Sequence, residues 1–146
     1  MAKGITGGHI PFGAVWTSRE IAEFYDHNVL SCGLTSYAHP LGLAAMEVII
    51  DLLNDPSFVD HTHRLEQILN GFLEKWDNLP CVQNIRSKGL LAAIEIDRQV
   101  DFKFLLEKGL HLVIQPKTLI LSPGLVYKEE TLKVALEKLD DILKTF

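Results

Sequence analysis

Cysteine is nearly missing from the sequence. Cys32 and Cys81 stand alone among 146 residues. That is too few for a four-cysteine zinc site, and in a mostly hydrophobic chain they read as reduced thiols, a single disulfide being the alternative. Positive charge is also short: 14 Lys and Arg face 19 Asp and Glu, for a net charge of −5. The basic residues are scattered along helical stretches with no dense cluster, which gives nucleic-acid binding no support. Nowhere does an apolar run approach the ~20 residues of a membrane helix. The opening Met1-Ala2-Lys3-Gly4-Ile5-Thr6-Gly7-Gly8 has no apolar region of the kind a signal peptide needs. The expectation is a soluble, cytoplasmic protein with no nucleic-acid and no membrane partner.

Apolar material is plentiful. A hydrophobic fraction of 47% with 23% charged residues supports a real core, in one ordinary domain or two small incomplete ones.

Along the chain, Gly4, Gly7 and Gly8 mark residues 1–12 as a loop able to turn tightly or to approach a ligand. The apolar run Phe12–Trp16 reads as a strand. Ser18 reads as the cap of a short helix carrying Ile21, Ala22, Phe24 and Tyr25, and residues 26–38 as a loop. Pro40 opens a helix over 40–54, in which Leu41, Ala44, Ala45, Val48, Ile49 and Leu52 recur at helical spacing and imply a well-buried element. It has so little polar face that it needs a partner, either residues 58–146 or another chain. Asn54-Asp55-Pro56-Ser57 breaks it. A second helix over 58–77 buries Leu65, Ile68, Leu69, Phe72, Leu73 and Trp76. Strands follow at Cys81–Ile85 and Leu90–Ile96, separated by Arg86-Ser87-Lys88-Gly89. A short helix over Val100–Lys108 packs Phe102 and either Leu105 or Leu106, and Gly109 terminates it. Further strands at Leu110–Ile114 and Thr118–Leu121 turn through Gln115-Pro116-Lys117. The last helix, Lys128–Leu143, turns Leu132, Ala135, Leu136, Leu139 and Ile142 inward. From residue 58 onward this is an α+β layer with helices over one face of a mostly antiparallel sheet.

Four segments carry a resemblance. Ala2-Lys3-Gly4-Ile5-Thr6-Gly7-Gly8-His9-Ile10-Pro11-Phe12-Gly13-Ala14-Val15 is similar to the stretch around the cofactor lysine of class III, pyridoxal-phosphate-dependent aminotransferases, as in the omega-amino acid, 4-aminobutyrate and ornithine types. Gly33-Leu34-Thr35-Ser36-Tyr37-Ala38-His39-Pro40-Leu41 resembles that family's Gly-Phe-Thr-Tyr-Ser-Gly-His-Pro-Leu segment. Ile85-Arg86-Ser87-Lys88-Gly89-Leu90-Leu91-Ala92-Ala93-Ile94-Glu95 is similar to the first strands of its small domain. Ser122-Pro123-Gly124-Leu125-Val126 resembles its Ala-Pro-Pro-Leu stretch before the final helix. Each motif alone is weak, and the four together, in order, are specific.

The resemblance implies a fold type I architecture, α/β to α+β. Residues 1–57 would be the C-terminal remnant of the large, cofactor-binding domain with an interface helix, and 58–146 the small C-terminal domain. It implies pyridoxal 5'-phosphate as cofactor, Lys3 as the catalytic residue that holds it covalently, and Thr35 as a contact to its phosphate from across a dimer interface. A lysine suits that work because its amine can hold an aldehyde carbon and, once released, carry a proton. On the residues alone Lys3 is an ordinary terminal lysine and Thr35 a turn or helix cap. His39 reads as a structural packing residue and Arg86 as a structural residue of the small domain. His61 and His63 alternate without a third ligand, so no metal site is expected.

The same resemblance places the aspartate for the pyridine nitrogen, the phosphate loop and the stacking aromatic before Lys3, beyond what this sequence holds. The substrate-carboxylate arginine is also missing from Ile114–Leu121, where Lys117 offers charge without a bidentate fork, and Gly124 replaces the second proline. The expectation is a fragment of an aminotransferase acting on a small amine and a 2-oxo acid, inactive without a complementing N-terminal polypeptide and assembled with it or as a homo-oligomer. The alternative is a non-catalytic oligomerisation or binding domain derived from such an enzyme. An inert remnant is the third reading.

Overall fold

Proline and capping side chains set the helix limits before any packing is considered. The computed structural model describes residues 3–33, 35 and 37–146, with Lys3 through its backbone alone. Among these, a 3-10 turn over Lys3–Thr6 is followed by α1 (Arg19–His27), α2 (Pro40–Asn54) and α3 (Pro56–Trp76). The strands β1 (Val82–Lys88) and β2 (Leu91–Ile96), the helix α4 (Phe102–Glu107), the strands β3 (Val113–Gln115) and β4 (Thr118–Leu121), and the helix α5 (Glu129–Lys144) complete the order. Ser18 caps α1 by accepting from the Ile21 N–H, as its position predicts. Asp55 stops α2 and starts α3. Its Oδ1 accepts from the Ser57 hydroxyl at 2.5 Å, the Ser57 N–H at 2.8 Å and the Phe58 N–H at 3.3 Å. These three donors, the Ser57 hydroxyl foremost, hold its carboxyl below the usual aspartate range. The chain divides into two compact units, residues 1–58 and 59–146.

In the second unit the strands form a wholly antiparallel sheet in the order β1-β2-β4-β3. Alternation decides its faces. Ala92, Ile94 and Ile96 on β2, with Leu119 and Leu121 on β4, are all buried, and the register sets Ala92 opposite Leu121 and Ile94 opposite Leu119. Leu65, Leu69, Leu73 and Trp76 of α3, Leu105 of α4, and Leu132, Leu136, Leu139, Ile142 and Leu143 of α5 join them in one core. The helices thus cover one face, as the periodicity predicts. Of the two residues offered for α4, Leu105 is the buried one, whereas Phe102 and Leu106 are exposed.

Three expectations about the strands need correcting. Arg86, Ser87 and Lys88 belong to β1 and pair with Ala93, Ala92 and Leu91. The polar triplet sits in the ladder because backbone pairing is indifferent to polar side chains on an open face. The reversal needs only Gly89, at φ +57°, and Leu90, a two-residue turn whose first position demands glycine. The third strand begins at Val113 rather than Leu110, and Leu110 is buried in the core instead. Finally, Phe12–Trp16 is irregular chain outside the sheet, with Val15 92% and Trp16 83% exposed. An apolar run becomes a strand only where a ladder is available to it.

The first unit is built on α2. Gly42 is its buried residue, and the Phe12 ring lies over it where a side chain would stand. The expectation of a well-buried helix fails within this chain: Leu41, Leu43, Val48, Ile50, Leu52 and Leu53 are exposed. Both cysteines are free thiols, Cys32 exposed and Cys81 buried. Among the described residues no helix is long and apolar enough to cross a membrane.

Candidate functional site

Lys3 opens the 3-10 turn, and the glycines behind it let the chain fold back. Gly7 and Gly8 take φ +60° and +79°, a left-handed conformation that other residues adopt only under strain. The Gly7 N–H donates to the Gly4 carbonyl at 2.9 Å and the His9 N–H to the Thr6 carbonyl at 3.1 Å. Inside this turn Thr6 is fully buried, the one buried polar side chain among the described residues, and its hydroxyl donates to the Ile10 carbonyl at 2.5 Å. A side chain at Gly7 would meet Ile49 Cδ1 at 3.0 Å, so the turn is seated on the C-terminal half of α2. Phe12 then reaches Gly42. Between these two contacts the segment runs back along the helix for seven residues, about 10 Å at the usual rise.

Thr35 lies in a turn before α2, with an exposed side chain. Ala38 takes φ +51°, an uncommon value for a non-glycine residue, and His39 caps the helix by accepting from the Leu41 N–H on Nδ1 at 3.3 Å. His39 is therefore structural, through capping rather than packing. The lysine-bearing turn is seated against α2 at Ile49, and Thr35 precedes that helix in the chain. The Lys3 side chain itself lies outside the described residues, as do Leu34 and Ser36. Arg86 is held by Glu95 across the open face of the sheet, Nη2 to Oε1 at 2.7 Å, and that pair is too exposed to stabilise much. Among the described residues no group of three or more His, Cys, Asp or Glu side chains could hold a metal ion.

Sequence reasoning passed over Thr6. A single threonine in a glycine-rich loop carries no signal of burial, and only the fold-back onto α2 reveals it.

The fold is that of solved transaminases. The chain superposes with a TM-score of 0.86 on the taurine:2-oxoglutarate aminotransferase from Bifidobacterium kashiwanohense, a structure in complex with PLP and glutamate; the identity is 28%, over 99% of this chain and 36% of that one. The (S)-enantioselective omega-transaminase from Thermomicrobium roseum gives a TM-score of 0.83 at 25% identity, over 99% of this chain and 36% of that one. In sequence, the acetylornithine aminotransferase of Bacillus cereus is 31% identical over 140 residues, 93% of this chain and 36% of its own length. The "Aminotransferase class-III" family model matches residues 1–143. The chain belongs to the class III aminotransferase family, and it spans 36% of the length of these relatives.

Proposed function

We propose that this chain supplies the lysine-bearing turn and the small domain of a pyridoxal-phosphate-dependent aminotransferase that moves an amino group between an amine donor and a 2-oxo acid. Residues 1–57 are then part of the cofactor-binding large domain, and 58–146 form the small domain. The observation that carries the reading is the family match over residues 1–143, which includes Lys3 and Thr35 in their motifs. The chemistry of these donors fits two handles of the cofactor: a primary amine for its aldehyde carbon and a hydroxyl for its phosphate. When bound, the cofactor supplies the electron sink.

Lys3 would hold it through the side-chain nitrogen and, as a free amine, would move a proton at the substrate's α carbon. Thr35 would donate its hydroxyl to the phosphate. As the family resemblance implies, one copy offers the lysine and a second copy offers the threonine. By the family resemblance, the partner for the ring nitrogen lies in the part of the relatives' length that these 146 residues do not span. Two free thiols fit a cytoplasmic setting.

Mixing the chain with pyridoxal phosphate tests this. A visible absorption band in the wild type that is lost in Lys3→Ala supports the site, and identical spectra sink it. A second reading, a non-catalytic oligomerisation domain, is favoured by the exposed apolar side chains of α2. A well-folded oligomer that never takes up the cofactor would establish it.

A further inference from the structure

We infer that Thr6 is a positioning residue for Lys3. The inference rests on the reading of Lys3 as the cofactor lysine. Thr6 closes the 3-10 turn that Lys3 opens. Its side chain is the fully buried polar group in a glycine-rich segment where Ile5 and Ile10 are half-buried and His9 is exposed. A buried hydroxyl must find a partner, and this one finds the Ile10 carbonyl at 2.5 Å, four residues on. That bond ties the two ends of the Thr6–Ile10 loop. The backbone bonds from Gly7 to Gly4 and from His9 to Thr6 lie within or beside the same loop.

The consequence reaches Lys3 through the backbone. Gly7 and Gly8 give the turn its left-handed conformation but leave it conformationally free. Contacts with α2, at Ile49 for Gly7 and at Gly42 for Phe12, seat the segment from outside but do not close the loop between them. With the Thr6 hydroxyl in place, the loop from Thr6 to Ile10 is closed on itself, and the 3-10 turn that carries Lys3 moves as one piece with the contact at Ile49. A reacting amine needs a fixed start, since a misplacement of about 1 Å costs roughly 10²-fold in rate. Thr6 touches neither cofactor nor substrate in this account. It acts by holding the lysine's turn.

The test uses the full chain and pyridoxal phosphate itself. Protein and cofactor are mixed, the adduct is fixed with borohydride at timed intervals, and peptide mass spectrometry reads which lysine carries the label and how fast. Thr6→Val removes the hydroxyl at nearly constant volume, and Thr6→Ser keeps it while removing the methyl group. Labelling at Lys3 should fall by roughly ten- to a hundredfold in Thr6→Val and stay within a few-fold of wild type in Thr6→Ser. The Gly7 and His9 amides should exchange hydrogen faster in Thr6→Val alone. Equal Lys3 labelling in Thr6→Val and wild type overturns the positioning role while leaving the role of Lys3 intact. Thr6→Ser labelling as slowly as Thr6→Val also overturns it, because packing of the methyl group would then be what matters. No label at Lys3 in the wild type overturns both readings.

Discussion

The indole N–H of Trp76, at the end of α3, donates to the Asp140 carboxylate of α5 at 2.9 Å, while the Lys144 ammonium donates to the other oxygen of that carboxylate at 2.6 Å. Trp76 is fully buried, so its single polar atom has to be satisfied from within the fold. Burial pushes the Asp140 carboxyl up, but the Lys144 and Trp76 donors outweigh it and leave the group below the usual aspartate range. One carboxylate thereby fixes the crossing of the two long helices.

Replacing Asp140 by alanine strands the indole donor in the core and should cost about 1–3 kcal/mol in urea denaturation at neutral pH. The pH dependence has a definite sign. A depressed folded-state pKa contributes stability that is present above the unfolded value, near 3.9, and is lost as pH falls through the lower folded value. The gap between wild type and Asp140→Asn should therefore close on acidification below about pH 4. A gap that stays constant down to the acid limit would show that the carboxylate does not titrate against these donors.

Leu69 is fully buried at the centre of the second unit. Leu69→Ala should destabilise it by about 2–5 kcal/mol, read as a lower urea midpoint with an unchanged slope. A loss below about 1 kcal/mol would mean that the unit's core is looser than the geometry indicates.

The helices were largely legible in the sequence because their signals are local. Pro40 and the Asn54-Asp55-Pro56 break delimit α2 over Pro40–Asn54, and the inward leucines of α5 are the buried ones. What failed depended on partners that a local pattern does not contain. Phe12–Trp16 has strand-like composition but joins no strand among the described residues. The apolar face of α2 has the character of a core and lies exposed here. Arg86-Ser87-Lys88 look like a loop yet extend β1. For the candidate site, motifs picked out Lys3 and Thr35, but no motif records that the lysine-bearing turn is seated against α2 at Ile49. Thr6 escaped entirely, because burial of one hydroxyl is a tertiary fact.

Gly42→Ala tests the first unit. In isolation alanine favours a helix by about 1 kcal/mol, but at position 42 the added methyl runs into the Phe12 ring. The expected outcome is a net loss of about 1–3 kcal/mol, with faster hydrogen exchange around Phe12 and the Lys3 turn. In a Phe12→Ala background the same substitution should become neutral or stabilising. If it destabilises equally in both backgrounds, the ring is not what fills the space at Gly42.

The two thiols provide an internal clock for opening of the second unit. Cys32 is exposed, while Cys81 is 2% exposed and its Sγ–H donates to the Leu143 carbonyl at 3.3 Å. Burial, the largest influence, pushes the Cys81 thiol above its usual range, so at neutral pH little reactive thiolate is present in the folded state. An aromatic disulfide reagent should therefore modify one thiol at the rate of a free cysteine and the other at least ~10³-fold more slowly, since stable domains open with equilibrium constants of that order or smaller. The slow rate should rise in Leu69→Ala by the factor that its lost stability predicts. Cys32 should react at its original rate. Two fast thiols in the wild type would mean that the turn at Cys81, just before β1, is open to solvent, and with it the end of the core where α5 closes over the sheet.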